Sequence, residues 1–231
     1  MRTLGLLGGM SWESTLLYYR LLNEGVRGRL GGLHSAPLVL WSFEFADIAR
    51  RQAAGDWASL GAELGRAGAQ LVAAGAEALL ICTNTMHQVH AAVEQVAGVP
   101  VIHIADAAGA VMQAAGVKRP ALLATRFTME GAFYRERLAD RFGIEAMIPD
   151  EPGRSQVHDV IYQELCQGVI RPESKRIYLD LIAQLQRAGA DSVIMGCTEI
   201  TLLIGQGDID MPVFDTTAIH AAAGVDFVLG D

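Results

Sequence analysis

The chain carries one pattern twice, and that repetition limits its fold more than any other feature. Gly75-Ala76-Glu77-Ala78-Leu79-Leu80-Ile81 aligns without a gap on Gly189-Ala190-Asp191-Ser192-Val193-Ile194-Met195. Further on, Val99-Pro100-Val101-Ile102-His103 matches Met211-Pro212-Val213-Phe214-Asp215. A period of about half the chain marks a duplicated domain rather than a solenoid of short repeats. In each copy an apolar run runs into a polar cluster, Cys82-Thr83-Asn84-Thr85-Met86-His87 in the first and Gly196-Cys197-Thr198-Glu199 in the second. Four or five consecutive apolar residues read as a strand buried on both faces, as in a parallel sheet covered by helices.

Strands alternating with helical stretches fill the rest. Strands are expected at Leu4–Leu7, Pro37–Phe43, Ala78–Cys82, Pro100–His103, Ala121–Thr125, Glu145–Pro149, Ser192–Met195 and Pro212–Asp215. A helix is expected from Trp12 to Arg27 behind Ser11 or Ser14 as N-cap. The segment from Glu44 starts irregular and then forms a short helix over Asp47–Gln52. Lys118-Arg119-Pro120 reads as a linker. The result is an α/β fold of two pseudosymmetric Rossmann-like domains with parallel sheets. Residues 1–105 form the N-terminal domain and 106–215 the C-terminal one. The closing helix over 216–231 is expected to pack back on the N-terminal domain. In such folds ligands gather at the C-terminal ends of strands, so the active site is expected in the cleft between the two domains.

Charge and cysteine content narrow the function. A net charge of −8 and a pI near 5.2 argue against a nucleic-acid surface. No apolar run reaches the roughly 18–20 residues of a membrane helix. Three cysteines cannot pair completely, and their buried-looking contexts suggest free thiols in a reducing compartment, so a cytoplasmic location is expected.

Cys197 is the leading catalytic candidate. It sits at a strand end before an expected helix, where backbone N–H groups and the helix dipole lower a thiol's pKa. Set against this is the commoner fate of a free cysteine, a small inert hydrophobe. The gapless alignment places Cys197 opposite Thr83, whereas Cys82 falls opposite Gly196. A one-residue offset in extended chain turns a side chain to the other face. Cys82 is therefore expected to be structural, and Cys166, in a helical context, even more so.

Asn84, Thr85 and Thr198 follow the two strands and can line a carboxylate site, although capping a helix would explain them too. Gly8-Gly9-Met10-Ser11 and Thr125-Arg126-Phe127-Thr128 end the first strand of each copy, bringing Met10, Thr125 and Thr128 to the same edge. The glycines do not make a dinucleotide or P-loop fingerprint. His87 and His90 are spaced for a metal pair, but no third ligand has sensible spacing, so no metal is expected. The two lysines, Lys118 and Lys175, are not at strand ends, which disfavours pyridoxal phosphate, and no cofactor is expected.

The motifs Gly5-Leu6-Leu7-Gly8-Gly9-Met10-Ser11-Trp12-Glu13-Ser14, Cys82 to His87, Gly196-Cys197-Thr198-Glu199-Ile200 and Val213-Phe214-Asp215-Thr216 together resemble the aspartate/glutamate racemase family. The likeness is greatest to its bacterial broad-specificity amino-acid racemase branch. It spans the whole chain and implies a cofactor-independent isomerase, commonly dimeric. In such enzymes two cysteines work on opposite faces of an amino acid's Cα. The family's first motif is Cys-Asn-Thr; matched on Asn84-Thr85, its cysteine position holds Thr83 here. A hydroxyl is a far poorer base near neutral pH than a thiol with a free pKa of roughly 8.5. The resemblance thus implies Cys197 as base, Thr83 as a weakened partner, and a bias toward L-substrates.

For the substrate side chain, Arg50 and Arg51 are candidates for a distal carboxylate, a solvated helix face being the plain alternative, and Gln52 is the preferred contact. Two other readings stand beside the racemase. One is a single-cysteine enzyme of decarboxylase or isomerase type. The other is an amino-acid-binding protein of the same fold with little activity. A homodimer acting on a small amino acid is the expected assembly.

Overall fold

The computed structural model describes residues 1–230. It divides into two compact units, residues 1–103 with 220–230, and residues 104–219.

In the first unit the chain runs β1 (Leu4–Gly8), α1 (Trp12–Leu30), β2 (Leu38–Ser42), α2 (Phe45–Ala53), α3 (Trp57–Ala73), β3 (Ala78–Ile81), a 3-10 turn over Thr85–Val89, and α4 (His90–Ala97). The strands are parallel in the order β2-β1-β3, and Val101 adds a single parallel bridge to Leu79 beyond β3. β1 and β3 are buried throughout, which is why they read as unbroken apolar runs, whereas β2 lies at the edge and is half open. Gly61, Gly65 and Gly68 line one side of α3. A Cβ on Gly65 would stand 2.8 Å from that of Val96, so these helix-weakening residues are repaid in close approach to α4.

The second unit runs α5 (Ile104–Ala114), β4 (Pro120–Leu123), α6 (Arg126–Glu130), α7 (Ala132–Phe142), α8 (Glu151–Gln163), α9 (Pro172–Arg187), β5 (Ser192–Met195), β6 (Val213–Asp215) and the start of α10 (Thr216–Leu229). Its sheet is β4-β5-β6, all parallel, with Met147 bridging to Ala121 beyond β4. Ala221, Val225 and Val228 of α10 share a core with Leu4, Leu6, Tyr18, Leu22 and Leu80 of the first unit.

Several sequence expectations need correction. The stretches 100–103 and 145–149 are not full strands; each contributes one bridge. Lys118-Arg119-Pro120 is no linker: Pro120 opens β4, and the amides of Lys118 and Arg119 both donate to the Asp191 carboxylate at 2.7 and 2.9 Å. Nor does residue 44 start an irregular stretch. The Glu44 carboxylate accepts from the amides of Ala46 and Asp47 at 3.0 and 2.8 Å, capping α2 from its first turn. Cys166 lies in a 3-10 turn, Leu165–Gln167, because α8 has already ended at Gln163. Ser11 does cap α1, accepting from the Ser14 amide at 3.2 Å.

The duplication is built into the hydrogen bonds. Gly75 and Gly189 turn the chain with φ of 103° and 99°, a region L side chains avoid. Their successors, Ala76 and Ala190, donate back to Leu71 at 3.0 Å and Leu185 at 2.9 Å. Glu77 then accepts from the Thr3 amide at 3.0 Å, as Asp191 does from Arg119.

Candidate active site

Backbone hydrogen bonds also fix which residues correspond at the two polar junctions. The Cys82 amide donates to the carbonyl of Leu7, on the first strand of its sheet, at 2.9 Å; the Gly196 amide donates to that of Leu123 at 2.8 Å. Cys82 therefore corresponds to Gly196, and Thr83 to Cys197. Among residues 82–87 only Thr83 keeps part of its surface open, and among 192–200 only Cys197 does. One residue on, the copies differ. The 3-10 turns begin from Asn84 in one and from Cys197 in the other, so Asn84 is an extra residue and Thr85 corresponds to Thr198.

In the first unit the ends of β1 and β3 are tied together. The Ser14 hydroxyl donates to the Cys82 carbonyl at 2.9 Å. The Gly9 amide donates to the Thr15 hydroxyl at 2.8 Å, and that hydroxyl donates to the Ser11 carbonyl at 2.9 Å. Gly9 has a φ of 81°, and a Cβ there would lie 2.4 Å from the Phe43 carbonyl oxygen. The glycine pair thus lets two strand ends come close together. Met10, Asn84 and Thr85 are buried at this edge. Gln52 is buried as well, and its amide nitrogen lies 3.0 Å from the Met86 sulfur, within the turn that follows Asn84.

Arg50 and Arg51 are engaged elsewhere. Arg50 is exposed and paired with Asp47, while Arg51 is paired with both Asp47 and Glu63. Cys82 is fully buried in the core beside Tyr18 and Leu80, and burial alone pushes its thiol far above the usual range.

Four of the six histidines gather behind Thr83. The fully buried His87 makes a 2.9 Å hydrogen bond through Nδ1 to the Thr83 carbonyl. His90 uses its own Nδ1 on the His87 carbonyl at 2.9 Å. Both rings thus spend a nitrogen on the backbone, and among the described residues no cluster of three or more His, Cys, Asp or Glu is placed to hold a metal.

In the second unit Thr125 and Thr128 are buried at the end of β4, their hydroxyls 3.4 Å apart. At the end of β5 the Cys197 thiol donates to the Glu199 carboxylate at 2.9 Å. The hydroxyls of Thr198 and Thr217 lie 3.0 Å apart. Thr216 donates to the Met195 carbonyl at 2.9 Å, and Asp215 accepts from the Thr217 and Ala218 amides at 2.9 and 3.2 Å.

The electrostatics at Cys197 reverse the sequence expectation. Its pKa is held well above the ordinary thiol value, first by burial, then by the negative charge of Glu199, with Cys166 adding to it. The expected lowering fails because only a five-residue 3-10 turn, Thr198–Leu202, follows the thiol, and a carboxylate sits against the sulfur. Glu199 is also the residue sequence reading passed over. It stood inside the quoted motif, and only its buried side chain folding back two residues shows what it touches.

Two parallel α/β units with small polar residues at matched strand ends define a protein of the duplicated, racemase-like fold. The family model for Asp/Glu/hydantoin racemases matches residues 7–224. The structure of a candidate Asp/Glu racemase from Yersinia pestis is 48% identical, with a TM-score of 0.93 over 99% of this chain and 100% of the other. That of an aspartate racemase homologue from Pyrococcus horikoshii is 31% identical, with a TM-score of 0.85 over 99% and 100%. A glutamate racemase from Francisella tularensis, solved with D-glutamate, shares the fold at 15% identity, with a TM-score of 0.70 over 99% and 81%. The chain belongs to the Asp/Glu/hydantoin racemase family, and that membership supports racemase activity.

Proposed function

We propose that this protein is a cofactor-independent racemase of aspartate, glutamate or a related amino acid, with Cys197 as the base toward L-substrates and Thr83 as the second proton-transfer group. The observation that carries the reading is the matched hydrogen bonding that pairs Thr83 with Cys197. Inversion needs a proton taken from one face of Cα and another delivered to the opposite face. A duplicated fold is suited to supplying two such positions.

Glu199 takes the proton of the Cys197 thiol, leaving a thiolate that removes the α-proton of the L-enantiomer. Glu199 then releases its proton to solvent, where it neutralises the hydroxide left when water reprotonates Thr83. The carbanion lies next to a carboxylate, so it needs donors prearranged on that carboxylate. Asn84, Thr85 and Thr198 serve there, with Met10, Thr125 and Thr128 lining the site and Gln52 facing the side chain. The Thr83 hydroxyl protonates the carbanion from the D side and regains its proton from water. The reverse step from D-substrate needs a Thr83 alkoxide, which is scarce near neutral pH.

A racemase has an equilibrium constant of one, so net inversion is equally efficient in the two directions. The L-bias therefore shows in α-proton exchange. Cys197 can remove a proton from the L-face and return a deuteron to it many times per inversion. Proton NMR in D2O on both enantiomers of aspartate and glutamate tests this. Exchange into L faster than into D, lost in Cys197→Ala, supports it; equal exchange retained in Cys197→Ala overturns it. A single partly open thiol at a strand end also suits a decarboxylase, which needs only one proton donor; such an enzyme would show no inversion.

The expected homodimer draws support from Trp12, Leu16 and Tyr19, which are more than half exposed along one side of α1. Sedimentation velocity tests it. The three free thiols suit a reducing compartment such as the cytoplasm.

A further inference from the structure

Thr83 and Cys197 occupy matched positions but are held differently. The Cys197 carbonyl is the first acceptor of its 3-10 turn, taking the Ile200 amide at 3.2 Å. In the first unit the extra residue Asn84 takes over that task, accepting from the His87 amide at 3.1 Å. The Thr83 carbonyl is thereby removed from the ladder, and a buried carbonyl without a donor is costly. The His87 side chain fills the gap at 2.9 Å. Ile200, which corresponds to His87, is apolar and fully buried, since the second unit has no such carbonyl to serve.

A carbonyl only accepts, so Nδ1 of His87 carries the hydrogen. With the Thr83 amide donating to the Ile81 carbonyl at 2.8 Å, both backbone polar groups of Thr83 are pinned, and its Cα–Cβ direction with them. The groups facing His87 keep the ring in place. His103 and His220 flank it with centroids 4.7 and 5.3 Å away, and His90 stands edge-on to His103 at 4.5 Å. His220 is itself fixed, its Nε2 donating to the Ile102 carbonyl at 2.7 Å and its Nδ1 accepting from the Tyr18 hydroxyl at 2.8 Å. Burial, then His220, hold His87 neutral, with His90 adding to the effect while the Thr83 and Ile102 carbonyls oppose it.

We infer that His87 is a positioning residue for inversion: as the Nδ1–H tautomer it clamps the Thr83 carbonyl and so fixes the direction of the Thr83 side chain toward the substrate. The inference rests on the role proposed above for Thr83. It predicts an effect on one half of the reaction. Exchange with retention at the L-face needs Cys197 alone, whereas inversion needs Thr83 as well.

The test follows L-aspartate in D2O, reading exchange with retention by NMR and inversion by chiral chromatography. In His87→Ala inversion falls by about 10- to 100-fold, as expected for a displaced proton donor, while exchange changes far less. His87→Asn, whose amide N–H overlays Nδ1–H, restores the ratio of the two rates. His87→Gln, whose donor reaches to the Nε2 position, does not. Equal falls in both rates for the Asn and Gln variants, or rescue by Gln as good as by Asn, would overturn the clamp. These two variants decide the matter even if His87→Ala does not fold. If Cys197→Ala keeps its L-face exchange, the reading of the whole site fails instead, whatever the His87 variants do.

Discussion

The thiol of Cys197 donates a hydrogen bond to the carboxylate of Glu199, two residues along the chain, at 2.9 Å. The pair holds one proton between two acceptors. At rest the sulfur keeps it, because burial and the neighbouring negative charge both disfavour a thiolate. In the mechanism proposed above, the proton crosses to Glu199.

Glu199→Gln separates the two effects of that carboxylate. Removing the charge lowers the Cys197 pKa toward its ordinary value, so alkylation by iodoacetamide, read at Cys197 by mass spectrometry, begins at lower pH than in the wild type. The same change removes the proton acceptor, and L-face exchange falls by about a hundredfold or more. A variant that alkylates more readily yet exchanges more slowly distinguishes this role from simple packing.

Thr83→Cys restores a second thiol at the matched position. Exchange into D-aspartate is expected to rise by about a hundredfold, approaching that into the L-enantiomer. Thr83→Ala is expected to keep L-face exchange while losing inversion. NMR in D2O measures both.

Cys82 gives the opposite outcome. It is fully buried among apolar side chains, so Cys82→Ser places a hydroxyl in the core and costs about 1–3 kcal/mol of stability in urea denaturation. Exchange per folded molecule stays at the wild-type level.

Acid sensitivity follows from the histidine cluster. His220 is depressed by burial to about 4 from its ordinary 6.5, so the unfolded chain binds a proton there that the native state refuses. Stability is full above the unfolded value and is lost as pH falls from 6.5 toward 4, by about 3 kcal/mol for this residue alone. His87 is lowered too and deepens the loss. Denaturation midpoints at pH 7, 5.5 and 4.5 measure it.

Much of this protein could be read from the residue order, because the information is local. The buried runs at 78–81 and 192–195, the Ser11 cap, and the gapless match that sets Thr83 against Cys197 all depend on near neighbours. The same is true of the motifs that carry the family resemblance. Tertiary structure decided the rest, since a side chain's partner and its burial are set by packing. Glu199 was visible in its motif, yet only the fold turns it onto the sulfur and converts an expected thiolate into a protonated thiol. His87 had the spacing of a metal pair but no expected role, and only the fold shows it holding the Thr83 carbonyl that the extra residue Asn84 leaves free of the turn. Tyr18 and His220 are 202 positions apart, and packing alone joins them in one buried hydrogen bond. Periodicity reports which face of an element is buried; a proton's position depends on what the fold places against it.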